Sequence, residues 1–248
     1  MSKIQNVYDN QDFFKEYKSM RDGKINANEL IEIPIIKSML PELMDKDILD
    51  LGCGEGEMAC YFAEKGARSV LGLDISENML KEAEKKNNLK NVSFRKMPME
   101  EIAQIDGKFD IIFSSLAFHY IENFDKLMCD ISRLLKENGV LVFSQEHPLV
   151  LASILPEGLP KYITKDDKRV FNLCDYNLNG ERKFNWNIDG VVKYHRNFST
   201  IINSILNAGL SIVEVQESYA SDDAIRLVPK YKFQKDRPYF LFIKAKKN

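Results

Sequence analysis

The chain is poor in the residues that build metal centres. Its 248 residues include four cysteines and three histidines. Cys53, Cys60, Cys129 and Cys174 form no C-x-x-C pair, which argues against a zinc site. No apolar run reaches 18 residues and no secretory leader is evident, so the expectation is a cytoplasmic protein with reduced thiols and no membrane partner. Charge of one sign is missing too. Thirty-five Lys and Arg against 37 Asp and Glu leave a net charge of −2. Nothing global draws such a chain to a phosphate backbone, and no nucleic-acid partner is expected. There is no internal repeat and no low-complexity tract, and the oligomeric state stays open.

Hydrophobic residues make up 44% of the chain, enough for one large domain over 1–248 with a sizeable core. The most informative stretch is Lys46 to Glu57. Ile48, Leu49 and Leu51 form a short apolar run, as a strand buried on both faces would. Gly52, Gly54 and Gly56 follow, and then a helical stretch from Met58 to Lys65, stopped by Gly66. Strand, glycine-rich turn and helix make half of a nucleotide-binding unit. Bare N–H groups at Gly52, Cys53 and Gly54 can approach a ligand closely. Ser69-Val-Leu-Gly-Leu-Asp74 is the next strand. Asp74 arrives at the spacing where a carboxylate accepts hydrogen bonds from a ribose diol. A dinucleotide fingerprint would need glycine at position 57, which is Glu57.

The run Asp50-Leu-Gly-Cys-Gly-Glu-Gly56 resembles the first motif of class I S-adenosylmethionine-dependent methyltransferases, of the type 11-like, small-molecule group. The resemblance covers Lys46 to Leu151 well and the two ends weakly. It implies an α/β fold: a Rossmann-like, doubly wound sheet of seven strands, mostly parallel, with the last strand antiparallel. It also implies S-adenosyl-L-methionine as cofactor, S-adenosyl-L-homocysteine as product and an unidentified small-molecule acceptor.

Residues 1–45 read as an N-terminal helical cap. Tyr17 and Arg21 share a helical face, and the resemblance implies that they reach the methionine carboxylate of the cofactor. Asn28 is placed to cap a helix from Pro34 to Leu43. After Asp74, Ser76 caps a helix running to about Asn87, and the resemblance puts Ile75 and Met79 against the adenosine. Asn91–Arg95 is the third strand. The family usually follows it with an acidic residue for adenine; this chain has Met97, Pro98 and Met99, so soft side chains take that place. Phe109–Ser114 is the fourth strand, with Ser114 at its carboxyl end, beside the methionine part of the cofactor. His119 and Tyr120 follow, where the resemblance starts the substrate pocket. Asp125–Lys136 reads as an amphipathic helix ended by Gly139, and Val140–Ser144 as the fifth strand, with Glu146-His147-Pro148 at its end.

From 149 to 195 the periodicity breaks down into turn signals and short strand-like pieces, rich in aromatics that include Trp186 and Tyr194. This β-rich insertion after strand 5 is expected to flank the substrate. Ser199 or Thr200 is placed to cap a helix ending at Gly209, before the last two strands. His119 and His147 are the candidate general bases, because histidine titrates near neutrality. The alternatives are a cofactor-binding regulatory protein, a nucleotide-dependent oxidoreductase, and a methyltransferase acting on tRNA or protein.

Overall fold

The computed structural model describes residues 4–22, 25–152, 155, 159–186 and 188–248, without the side-chain surroundings of 20–22, 185–186 and 188–189. The chain opens with α1 (Gln11–Asp22) and a π-turn over Asn28–Glu32 that runs into α2 (Ile33–Ser38). A regular alternation follows: β1 (Asp47–Leu51), α3 (Glu57–Glu64), β2 (Ser69–Asp74), α4 (Glu77–Lys86) and β3 (Val92–Lys96). Next come β4 (Phe109–Ser114), α5 (Phe124–Leu134), β5 (Leu135–Glu146) and α6 (Pro148–Leu151). The insertion folds as two hairpins, β6 (Tyr162–Lys165) with β7 (Lys168–Phe171), and β8 (Gly180–Trp186) with β9 (Ile188–His195). The chain closes with α7 (Phe198–Asn207), β10 (Leu210–Glu217), α8 (Asp222–Leu227) and β11 (Phe240–Lys247).

Seven strands make one sheet in the order β10-β11-β5-β4-β1-β2-β3. β11 is antiparallel to both its neighbours, and the β3-β2-β1-β4-β5 part is parallel. Alternate residues of each strand enter different cores. Leu49, Leu51, Ile112 and Phe143 pack toward α5 and α7. Ile48, Val70, Ile111, Phe113, Val142 and Phe242 pack toward α2, α3 and α8. Both faces are covered, so the inner strands are apolar on both sides. Strand order reverses between β1 and β4, which opens a crevice at the carboxyl ends of the strands.

Four expected boundaries or caps move for local reasons. Asn26, not Asn28, caps the π-turn, its Oδ1 accepting from Glu29 N at 3.0 Å. The helix that follows ends at Ser38, short of Leu43. α5 needs no glycine stop, since Leu135 turns extended (φ −73°, ψ 139°) and leads directly into β5, which contains Gly139. Asn197 caps α7 by accepting from Thr200 N at 2.9 Å, a role expected of Ser199 or Thr200.

Candidate functional site

The turn after β1 is shaped by three left-handed glycines with different duties. Gly52 (φ +73°) and Gly56 (φ +78°) are packed: a Cβ would stand 2.7 Å from Ala117 Cβ at the first and 2.6 Å from the Phe94 ring at the second. At Gly54 (φ +54°) a Cβ would meet nothing within 4 Å. It would project into open space, the cradle that a closely approaching ligand needs. The turn is tied to β2, so the N–H groups of Gly52, Cys53 and Gly54, expected to stand bare, are already engaged. Gly52 N and Cys53 N donate to Leu73 O at 2.8 and 2.9 Å, and Gly54 N donates to Asp74 Oδ2 at 2.9 Å. The other oxygen, Asp74 Oδ1, accepts from Ser76 N at 2.8 Å at the start of α4. Each carboxylate oxygen keeps a lone pair for a further donor. Burial raises the carboxyl of Asp74, and the backbone N–H groups of Ser76 and Gly54 oppose that rise.

A cavity of about 930 Å³ opens at this end of the sheet. Its walls include Gly52, Cys53, Gly54, Asp74, Ile75, Met79, Met97, Pro98 and Met99, together with Tyr17, His119 and Tyr120. The N-terminal segment closes one side. Asp9 Oδ1 accepts from Ser76 Oγ and Asn78 N at 2.7 and 3.1 Å, which docks the segment on α4. Tyr8 packs edge-on against Phe13 and Tyr17, and its hydroxyl lies 3.4 Å from that of Tyr120. Gln5 clasps the insertion through a two-way bond with the Val192 backbone at 3.1 and 2.7 Å. Leu116, in the cavity wall, holds φ +50°, a conformation costing a non-glycine residue about 1–2 kcal/mol. Its N–H is fixed by Ser144 O and Ser144 Oγ at 3.1 and 3.0 Å.

Asp50 is the residue that sequence reasoning missed. It is 2% exposed, lines the cavity, and its Oδ2 has no hydrogen-bond partner among the described residues. Burial, with Asp74 close by, pushes its carboxyl up to about 8. A carboxyl so placed stays protonated near neutrality unless a cation stands beside it. A sulfonium compound that also carries an ammonium group fits this donor set. The local signal was an acidic residue set inside the buried Ile48–Leu51 stretch of β1. The raised value also sets a sign. Its folded value lies above the unfolded 3.9, so the stability it contributes is complete below about pH 4 and is lost as pH rises through 8. Thermal unfolding of the ligand-free protein from pH 5 to 8.5 should show this decline, and Asp50→Asn should flatten it. An equal slope in the variant would remove Asp50 as its source.

Five expected site residues need separate placement. Ser114 does not line the cavity: it is fully buried and its Oγ donates to Leu51 O at 2.8 Å. Its neighbour Ser115 faces the cavity and donates to Glu32 Oε1 at 2.9 Å. His147 does not line it either. Its Nδ1 caps α6 by accepting from Leu149 N at 3.1 Å, and its Nε2 lies 2.9 Å from Glu217 Oε1, so both ring nitrogens are spent on structure. Turn chemistry ahead of Pro148 explains it better than base catalysis. Tyr194 is also outside the cavity wall, where Phe184 and Lys193 of the same hairpin stand. The side chains of Arg21 and Trp186 lie outside the described residues. His119 does face the cavity. Its Nδ1 accepts from Glu146 N at 3.4 Å, so a neutral ring carries its proton on Nε2 and offers a donor. Burial lowers it to about 3, which makes it a weak base.

Among the described residues no helix is long and apolar enough to cross a membrane. Residues 49–143 match a family model described as a methyltransferase domain. Over 258 aligned residues the chain is 39% identical to an uncharacterized protein of Haemophilus influenzae, covering 100% of this chain and 99% of that one. The crystal structure of an S-adenosylmethionine dependent methyltransferase from Mesorhizobium loti superposes with a TM-score of 0.80 at 33% identity, over 91% of this chain and 99% of that one. A malonyl-[acyl-carrier protein] O-methyltransferase of Hamiltonella defensa is 33% identical over 97 residues, which are 39% of this chain and 36% of that enzyme. The chain therefore belongs to the S-adenosylmethionine-dependent methyltransferases, with S-adenosylmethionine as its cofactor.

Proposed function

We propose that the protein moves a methyl group from S-adenosylmethionine to a small-molecule acceptor by in-line displacement. Residues 1–45 act as a cap over the cofactor, residues 149–195 flank the acceptor, and the whole chain works as one cytoplasmic catalytic domain. The observation that carries this reading is the continuity of one cavity, from Gly54 and Asp74 past Tyr120 to Phe184 and Lys193 of the second hairpin.

Asp74 takes the ribose hydroxyls, and Gly52, Cys53 and Gly54 give backbone its close approach. Ile75 and Met79 bear on the adenosine, and Met97, Pro98 and Met99 enclose the adenine. Tyr17 faces the methionine end, and the orphaned Asp50 meets its positive charge. When bound, the sulfonium supplies an already activated methyl group. The protein's part is to align the acceptor with it and exclude water. Tyr8, Tyr17 and Tyr120 supply the dry wall where the two halves meet.

Incubation with S-adenosylmethionine labelled in the methyl group, against fractionated cell extract, tests this. Label is expected in the small-molecule fraction. Label in tRNA or protein would contradict the small-molecule reading, and cofactor binding without transfer to any fraction would favour a regulatory protein.

A further inference from the structure

The two ends of the cavity carry opposite charge. Over β1 to β3 its walls hold Asp50, Asp74 and Glu100. At the end formed by β5, β9 and the segment before β11 they hold Lys161, Lys183, Lys193 and Arg237, with Glu146 the only carboxylate at that end among the lining residues described. Lys193 Nζ donates to Glu146 Oε1 at 2.5 Å, so these two charges offset each other. Of the other cations in the wall, Lys161 and Lys183 are exposed, and Arg237 is the half-buried one. Its guanidinium lies 3.9 Å from the centre of the Phe171 ring and, among the described residues, makes one long bond, to Leu149 O at 3.4 Å. Its buried Nε has no hydrogen-bond partner among the described residues.

Arg237 also lines a second cavity of about 350 Å³, which shares Glu146, Val150 and Phe240 with the first. Arg169 stands in that second wall, its guanidinium 4.1 Å from the Tyr162 and Phe233 ring centres and its Nε likewise unpartnered among the described residues. Two guanidinium groups thus stand over aromatic rings, each with an Nε donor unpartnered among the described residues. A guanidinium fork matches a carboxylate better than any other common organic group. Among the described residues no base is on offer at this end. His119 presents Nε2–H, Glu146 is occupied by Lys193, and burial raises the Tyr120 phenol.

We propose that the acceptor is an organic acid, anchored by Arg237 where the two cavities join, whose ionised carboxylate takes the methyl group. This rests on the methyltransferase reading above. A carboxylate oxygen forms the new bond to the methyl carbon with its own electron pair. The carbon–sulfur bond breaks, and its pair returns to sulfur as S-adenosylhomocysteine leaves. The product is a methyl ester, and no proton is released. An acceptor ionised at neutral pH explains why this end provides a clamp and no base.

The test uses the full chain with succinate, tricarballylate, benzoate and octanoate as acids, and catechol, histamine and glutathione as non-carboxylate or base-dependent controls. Calorimetry with S-adenosylhomocysteine comes first. If that binding is absent, the methyltransferase reading fails and this proposal with it. If it is present, at least one acid should bind the protein–S-adenosylhomocysteine complex and accept a methyl that mild alkali releases as volatile methanol. Its kcat/KM should stay flat from pH 6 to 8.5. Arg237→Gln should raise KM for the acid about 30-fold or more while kcat changes less than threefold and S-adenosylhomocysteine affinity holds. If that variant does not fold, Arg237→Lys, which keeps the charge and loses the fork, should raise KM about 10-fold. Alkali-stable label, a rate climbing through pH 7–8, no acid accepted, or an unchanged KM in the folded variant would overturn the proposal and leave the methyltransferase reading standing.

Discussion

Replacing Asp74 by alanine should cost the protein its grip on the cofactor. The change removes the acceptor for the ribose hydroxyls and also frees Gly54 N and Ser76 N, which now donate to its two oxygens at 2.9 and 2.8 Å. Hydrogen bonds to a charged group contribute about 1.5–3 kcal/mol each, so a loss of about 3 kcal/mol, roughly 150-fold in Kd, is expected. Asp74→Asn keeps one acceptor oxygen and should lose about half as much free energy. The fold should survive, because β2 is held by its ladders to β1 and β3. Titration calorimetry on protein with unchanged circular dichroism decides the matter, and wild-type affinity in Asp74→Ala would take this carboxylate out of the site.

Gly54→Val should abolish cofactor binding while Gly56→Val should instead damage the fold. The two glycines differ by two positions and share a left-handed backbone, yet their surroundings are opposite. Valine at 54 meets no atom of the protein, so its branched side chain fills the space reserved for ligand. Its backbone strain is about 1–2 kcal/mol, which a domain of this size can absorb. Valine at 56 would collide with the Phe94 ring and with Ala83 Cβ, 3.1 Å away, forcing α3 and α4 apart from β3. Melting temperature and calorimetric affinity should therefore separate: affinity lost with stability nearly kept at 54, stability lost at 56. Loss of stability alone at 54 would mean that the open space is not the ligand's cradle.

The parts of the molecule that could be read in advance are those where local chemistry suffices. Ile48-Leu-Asp-Leu51 followed by three glycines can hardly be anything but a buried strand running into a turn, and the strands at 69–74 and 109–114 follow the same logic. Ser114 shows where local reading ends. A strand alternates its faces, so one residue of slip exchanges Ser114 for Ser115 and moves the hydroxyl out of the cavity. His147 was ambiguous because Pro148 demanded a cap, and the structure gave the ring that duty. Asp50 escaped notice because its meaning lies in what is missing around Oδ2, a property of the packed molecule and not of the strand. Arg237 lies in an uneven polar segment with no periodicity. Only the pairing of Phe240 with Glu146 across β11 and β5 carries it to the cavity. Turn residues and strand-like pieces marked the insertion as β-rich but misplaced its turns: the first hairpin turns at Asp166 and Asp167, and Asp189 and Gly190 lie inside β9, which Gln5 holds through Val192.

The central claim is that the crevice at the carboxyl ends of β1 and β2 holds S-adenosylmethionine through Asp74 and the glycine turn. The most direct test is calorimetric titration of the purified protein with S-adenosylmethionine and S-adenosylhomocysteine, with NADH as control and Asp74→Ala alongside. Micromolar binding of the first two is expected, with none of NADH and at least a hundredfold loss in the variant. Folded protein that binds neither sulfur compound, or binds them equally well without Asp74, would contradict it.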